Sequence, residues 1–296
     1  MRAVKKYKNM IQIRNINKPK VFLLDGDLKF AKDTPPMLSE IFHENSKLYP
    51  YDVRPWLHQR KPPGLEHTKL KAFMERSAKS YKVYPTLSQT PLPTEDPLER
   101  SVNLWEVMHK RRSRRDYSEK PLQLSEVSRI LFYGYGETSE IDLGNYSVSL
   151  RASPSAGALY PLDIYPLICR VDEIDAGLYH YNVRDHTLEQ LKKGEFLNDL
   201  IPLIQSDNNE WLAKAAIVFF ITTTFRRNQM KYGERGYRGV LLDAGHLSQN
   251  ILLAATGLGL GSCIIMACMD DQVNNFLGVD GVEESVLYSI SIGHTT

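Results

Sequence analysis

The stretch KYGERGYRGVLLDAGHLSQNILLAATGLGLGSCIIM, Lys231 to Met266, does most to limit how this chain can fold. Val240, Leu241, Ala244, Leu247, Ile251, Leu252 and Ala255 recur at helical spacing and predict a helix from about Tyr237 to Leu258. Glycines 257, 259 and 261 end it, and Cys263 to Cys268 then reads as a strand. Asn250 to Ala267 is apolar enough to resemble a membrane span, but the glycines divide it into a helix end and a buried strand, so no transmembrane segment is expected.

The other elements are read in the same way. Val21 to Leu24 and Leu28 to Phe30 flank Asp25-Gly26, a pair suited to a tight hairpin. Between Tyr49 and Pro97 the chain is rich in Pro and Tyr, with helical character at Leu65 to Ser80, and reads as a segment wrapping a core built elsewhere. Asp96-Pro97-Leu98-Glu99 is a helix start, with Leu98, Val102, Trp105 and Met108 on one apolar face. A second helix is expected at Leu124 to Tyr133. Strands follow at Leu162 to Cys169, Gly177 to Tyr181, Thr187 to Leu191 and Ala215 to Thr224, the last β-branched and aromatic enough for a central strand. A short helix capped by Asp271 and a strand at Val286 to Ile292 complete the list. Without regular βαβ alternation, the class is α+β: a central mixed or antiparallel sheet flanked by helices. The expected division is an N-terminal extension, residues 1–95, and a main domain, residues 96–296.

Composition excludes more than it names. The 296 residues are 42% hydrophobic, enough for a buried core, and the net charge of +2 gives no reason to expect a nucleic-acid surface. Three cysteines without CxxC spacing indicate neither a disulfide framework nor a zinc site, which suits a reducing cytoplasm. The first residues are too interrupted by charge for a signal peptide.

Four segments carry chemistry or an ordinary structural role. Lys110-Arg111-Arg112-Ser113-Arg114-Arg115 offers forked donors and a hydroxyl to a phosphate monoester, or is a solvated helix end. Ser153-Pro154-Ser155-Ala156-Gly157-Ala158 is a small-residue loop that lets a flat ligand approach, or a strand-to-helix turn. Lys231-Tyr232, in a loop with Glu234, Arg235 and Arg238, is a charged surface loop or a proton-handling pair, in which a cation lowers the phenol's pKa and neighbouring cations help to neutralise the lysine. Asp243, His246 and Asn250 share one helix face. With no supporting ligand they read as a hydrogen-bonded stripe rather than a metal site.

In order, FHENSK at 42–47, KVYP at 82–85, RRSRRDY at 111–117, SPSAGALYPLDIY at 153–165, GLYHYNVRDHTLEQL at 177–191 and the Lys231 to Cys263 stretch resemble the flavin-dependent nitroreductase superfamily, and within it the SagB-type dehydrogenases that include azoline oxidases. The resemblance implies a nitroreductase-like fold, a homodimer and FMN at the subunit interface. It assigns Arg111, Ser113 and Arg115 to the phosphate and ribityl chain, Pro154, Ser155, Ala156 and Gly157 to a loop reaching the flavin from the partner subunit, and Ile264, Ile265 and Met266 to the ring. Ala158 stands where many nitroreductases have Asn. For the basic residues that relatives carry beyond the last strand, the resemblance leaves two readings: His294 substitutes, or the arginines near 111 suffice. Lys231 and Tyr232 match the Lys-Tyr pair of the azoline oxidases, with the base left open between them.

The implied activity is conversion of thiazoline or oxazoline rings of a ribosomal peptide to thiazole or oxazole, by proton abstraction and hydride transfer to flavin. The implied partners are a precursor peptide and a YcaO-type cyclodehydratase, with leader-peptide recognition in a partner subunit. The alternatives are a general NAD(P)H-dependent nitroreductase or flavin reductase, and a non-catalytic scaffold subunit. No metal is expected.

Overall fold

The computed structural model describes residues 38–46, 81–94, 102–142, 144, 146–204 and 210–296. The expected hairpin at 20–32, the helix at 65–80 and the helix start at Asp96 to Glu99 lie outside the described residues. The chain forms two units, residues 1–45 and 46–296. In the first, α1 spans Leu38–Asn45.

The second unit is built on a seven-stranded sheet. Its strands are β1 (Gln89–Pro91), β4 (Leu162–Ile168), β5 (Gly177–Asn182), β6 (Thr187–Lys193), β7 (Ile217–Thr224), β8 (Gly261–Ile265) and β9 (Glu284–Gly293), in the order β1-β6-β5-β4-β7-β9-β8. Every neighbouring pair is antiparallel. A separate two-stranded ribbon, β2 (Glu137–Asp142) and β3 (Ser147–Arg151), was not legible as strands because β2 is polar and exposed along almost its whole length.

β7, IVFFITTT, is buried on both faces of the sheet and sorts its side chains by the two-residue strand period. Phe219 and Ile221 face one core, completed by α3 (Leu124–Tyr135) and α6 (Arg235–Gly257) through Val127, Leu131, Val240, Leu247 and Ile251. Val218 and Phe220 face the other, covered by α4 (Leu197–Leu200) and α7 (Asp270–Leu277) through Leu200, Val273 and Leu277. This is the expected α+β class, with helices on both faces of an antiparallel sheet.

Three local expectations need correction. α2 (Leu104–Lys110) starts at Asn103, whose side chain accepts from the Glu106 N–H, and turns Trp105 and Met108 to solvent while Val107 packs inward. The strand expected to reach Cys268 ends at Ile265, and α7 is capped at Met269, with Asp271 inside its first turn. Lys231 and Tyr232 lie in a helix, α5 (Phe225–Tyr232), rather than a loop.

A buried polar line crosses the sheet near the start of β4. The His180 ring meets the Glu189 carboxylate at 2.9 Å and Asp163 at 3.7 Å, and Asp163 meets Arg227 of α5 at 3.6 Å. Burial alone would pull His180 below its ordinary pKa, but the two carboxylates outweigh it and the net direction is up. Glu189 moves the other way, because its bond to His180 overcomes the cost of burying it.

Candidate active site

α5 leaves the central strand directly and is fastened by Arg227, which also donates to the Tyr160 carbonyl at 3.2 Å. Its last turn carries Lys231 and Tyr232, and Gly233 closes it at φ 58°, donating to the Gln229 carbonyl at 2.7 Å. α6 then begins at Arg235. Both side chains of the pair are half-buried, and the Lys231 ammonium lies 5.4 Å from the centre of the Tyr232 ring.

Beneath them lies the 154–157 loop. Gly157 has φ 68°, and a Cβ there would stand 2.3 Å from Tyr232 Oη and 2.6 Å from Lys231 Nζ. Glycine is therefore required twice, for its backbone and for the space above it. Ala158 and Tyr160 also have positive φ, 54° and 45°, which a loop sustains only when held by its surroundings. The holding residue is Asp243 of α6: it accepts from Ser155 Oγ at 2.6 Å and from the Ala156 N–H at 3.2 Å. Ser155 Oγ in turn accepts from the Tyr160 N–H at 2.9 Å. One helical face further, Asn250 donates to the Ala152 carbonyl and to Ser153 Oγ, each at 3.2 Å. His246 of the same stripe is exposed.

The protonation directions in this cluster differ from residue to residue. Burial lowers the Lys231 ammonium pKa. Burial raises the Tyr232 phenol, and the Asp243 charge raises it further, the reverse of the lowering expected from an adjacent cation. Arg235 and Arg238 donate to Ser46, at 3.2 and 2.8 Å. Asp243 itself is raised by burial, partly offset by Ser155, Ala156, His246 and Asn228. The Asn228 side chain is fully buried, and its amide makes no hydrogen bond of ordinary geometry among the described residues.

A second set lies along the sheet edge formed by β8. Ser113 bridges Ser262, and the Arg114 N–H donates to the Ser262 carbonyl at 3.0 Å. The five cations here have different tasks. Lys110 pairs with Glu106, Arg112 donates to the His109 and Arg111 carbonyls at the end of α2, Arg114 pairs with Asp116, and Arg115 lies 5.6 Å over the Trp211 ring. The Arg111 side chain is left without a partner among the described residues. Ser262 Oγ, on the residue that bridges Ser113, is buried and has no hydrogen-bond partner among the described residues. Ile264 and Met266 are exposed, whereas Ile265 points into the second core. His294 faces Glu126 of α3 at 3.8 Å, not the arginines.

The structure thus brings Gly157 together with Lys231 and Tyr232, and Ser113 and Arg114 together with β8. β8 lies three strands from β4 in the sheet order, a lateral distance of about 14 Å at about 4.8 Å per strand. Asn228 was not singled out from sequence, and Asp243 was read as part of a hydrogen-bonded stripe without a role beside Lys231 and Tyr232. An aspartate in mid-helix, where it is a poor helix former, was the available signal.

A sequence model of the nitroreductase family matches residues 108–294. The chain is 35% identical over 178 residues to the nitroreductase-type protein MJ1384 of Methanocaldococcus jannaschii, covering 60% of this chain and 85% of that one. It is 30% identical to the trifolitoxin-processing protein TfxB of Rhizobium leguminosarum bv. trifolii, covering 56% of this chain and 46% of that one. It is 28% identical to the microcin B17-processing protein McbC of Escherichia coli, covering 44% of this chain and 49% of that one. The chain therefore spans about half the length of each peptide-processing relative. A crystal structure of a nitroreductase-type protein from Anabaena variabilis superposes with a TM-score of 0.60 at 29% identity, covering 80% of this chain and 49% of that one. With the family model covering more than half its length and the fold in agreement, the chain belongs to the nitroreductase family.

Proposed function

We propose that this protein is a SagB-type, FMN-dependent dehydrogenase that converts thiazoline or oxazoline rings of a ribosomal peptide to thiazole or oxazole. The observation that carries the reading is the seating of Lys231 Nζ and Tyr232 Oη directly over Gly157. The names of the trifolitoxin- and microcin-processing relatives support the substrate class.

FMN fits the residues present. Among the described residues Arg111 has a guanidinium without a partner and Ser262 a buried hydroxyl without one, and Gly157 leaves backbone bare beneath the Lys231 and Tyr232 heads, where any side chain would collide. Arg111, Ser113 and Arg115 would hold the phosphate and ribityl chain, and Pro154 to Gly157 with Ile264 and Met266 would bound the ring. Ile265 is available through its backbone alone, and His294, engaged with Glu126, falls outside the set. When bound, FMN supplies a two-electron acceptor.

Aromatising an azoline removes two hydrogens, one as a proton from the ring α-carbon and one with its electron pair. Lys231 is the base of the pair, because half-burial lowers its pKa and so increases the fraction that is neutral amine. Tyr232, held above its ordinary pKa, stays a phenol and serves as hydrogen-bond donor to the substrate. The expected outcome with an azoline-containing peptide is loss of two hydrogens by mass, abolished in Lys231→Ala and strongly reduced in Tyr232→Phe. Turnover of a nicotinamide with nitroarenes and none with the peptide overturns this in favour of a general nitroreductase, the reading favoured by the likeness to MJ1384. A colourless protein that takes up no FMN favours a scaffold subunit.

The working form is a homodimer, acting beside a YcaO-type cyclodehydratase in the cytoplasm. Trp105 and Met108 on α2, and Leu241 and Leu242 on α6, are exposed apolar side chains suited to contact with a second copy.

A further inference from the structure

The notable residue outside the proton-handling pair is a carboxylate buried against it. Asp243 is 4% exposed, yet its bonds go to a loop 87 and 88 residues earlier in the chain, to Ala156 and Ser155, rather than to a cation. We propose that Asp243 is the positioning residue of the Lys231–Tyr232 pair: from α6 it fixes the 155–157 loop on which the pair is seated. The inference rests on the reading of Lys231 and Tyr232 as the residues that handle protons.

Three observations converge on it. The loop contains left-handed backbone at Gly157, Ala158 and Tyr160, so it needs an external anchor, and Asp243 holds both the Ser155 hydroxyl and the Ala156 N–H. Gly157 follows directly and is in contact with both reactive heads, so a shift of the loop shifts the floor beneath them. Tyr232 also senses the Asp243 charge, which couples the anchor to the pair electrostatically as well as sterically. The titratable groups around Asp243 are Tyr232, with Lys231 beside it, on α5 and His246 on α6. Asn228, buried on α5, completes the polar surroundings.

The test compares Asp243→Asn with the parent protein in readouts that need no substrate. Carbon-labelled tyrosine NMR, with Tyr232→Phe to assign the signal, follows the phenol titration, and hydrogen exchange follows the 155–157 amides. The expected result is a fall in the Tyr232 pKa together with faster exchange at Ala156. A titration and an exchange rate both unchanged overturn the proposal. With the azoline peptide, turnover should fall roughly tenfold or more, as for misplacement of a reacting group by a fraction of an ångström to an ångström. If the NMR and exchange results appear as expected but the parent protein does not oxidise the peptide, the proposed function fails and the anchoring role stands. Should Asp243→Asn not fold, Ser155→Ala removes one of the two bonds by which Asp243 holds the loop; exchange across the 155–157 amides must then rise, and parent-level protection at all of them overturns the proposal.

Discussion

At the scale of single residues, the proposed chemistry depends on which group is neutral at working pH. Lys231 is lowered and Tyr232 raised, so activity should climb with pH through the lysine's depressed pKa and fall only as the phenol ionises at high pH. On the proposed reading, Lys231→Arg keeps the cation and removes the base. Its kcat should drop about 100-fold or more while FMN affinity, read by flavin fluorescence, stays near that of the parent. Gly157→Ala places a methyl group where Tyr232 Oη and Lys231 Nζ now sit, on left-handed backbone, and should cost about 1 kcal/mol or more in urea unfolding. Arg111→Ala should weaken FMN binding about tenfold, the effect of losing one charge-assisted bond, whereas Arg112→Ala should change it little because Arg112 serves the end of α2. Some of this sorting was legible in sequence. Lys110–Glu106 and Arg114–Asp116 are pairs within four residues, but the Arg115–Trp211 contact and the Asp243–Ser155 bond join distant segments that no local pattern links.

At the scale of elements, α6 and β7 were readable because their apolar periods are long and strong. α5 was not, because FRRNQMKY has no apolar stripe and is held by tertiary contacts, chiefly Arg227 to Asp163 and the Tyr160 carbonyl. That fastening belongs to the buried His180 line, which makes its own prediction about pH. His180 is raised, so its contribution to stability is complete below its unfolded pKa of about 6.5 and is lost as pH rises through the higher folded value. Glu189 is lowered, so its contribution is present above about pH 4.5 and is lost as pH falls through the folded value. Urea midpoints should therefore decline on the alkaline side of neutrality. In His180→Ala, where Glu189 and Asp163 lose their shared partner, stability should fall by about 3 kcal/mol and the alkaline decline should disappear.

At the scale of the whole molecule, the fold class was legible from the order of elements, and its antiparallel sheet is the arrangement observed. The outward turn of α2 was not, since an apolar face marks burial without saying whether the covering surface comes from the same chain. Trp105, Met108, Leu241 and Leu242 carry the prediction of a dimer. Leu242→Glu should shift the protein toward monomer in sedimentation and lower its flavin content in parallel. A monomeric parent protein with full flavin would argue against a shared site.

The strand order has a further consequence, for biosynthesis. β9, which follows β7 and β8 in sequence, is inserted between them in the sheet. Until it emerges from the ribosome, β8 has no strand to join and β7 exposes an edge along its most apolar stretch. The nascent chain must therefore keep that edge from other chains until β9 has been made, and its yield in a cell should depend on chaperone capacity as much as on final stability.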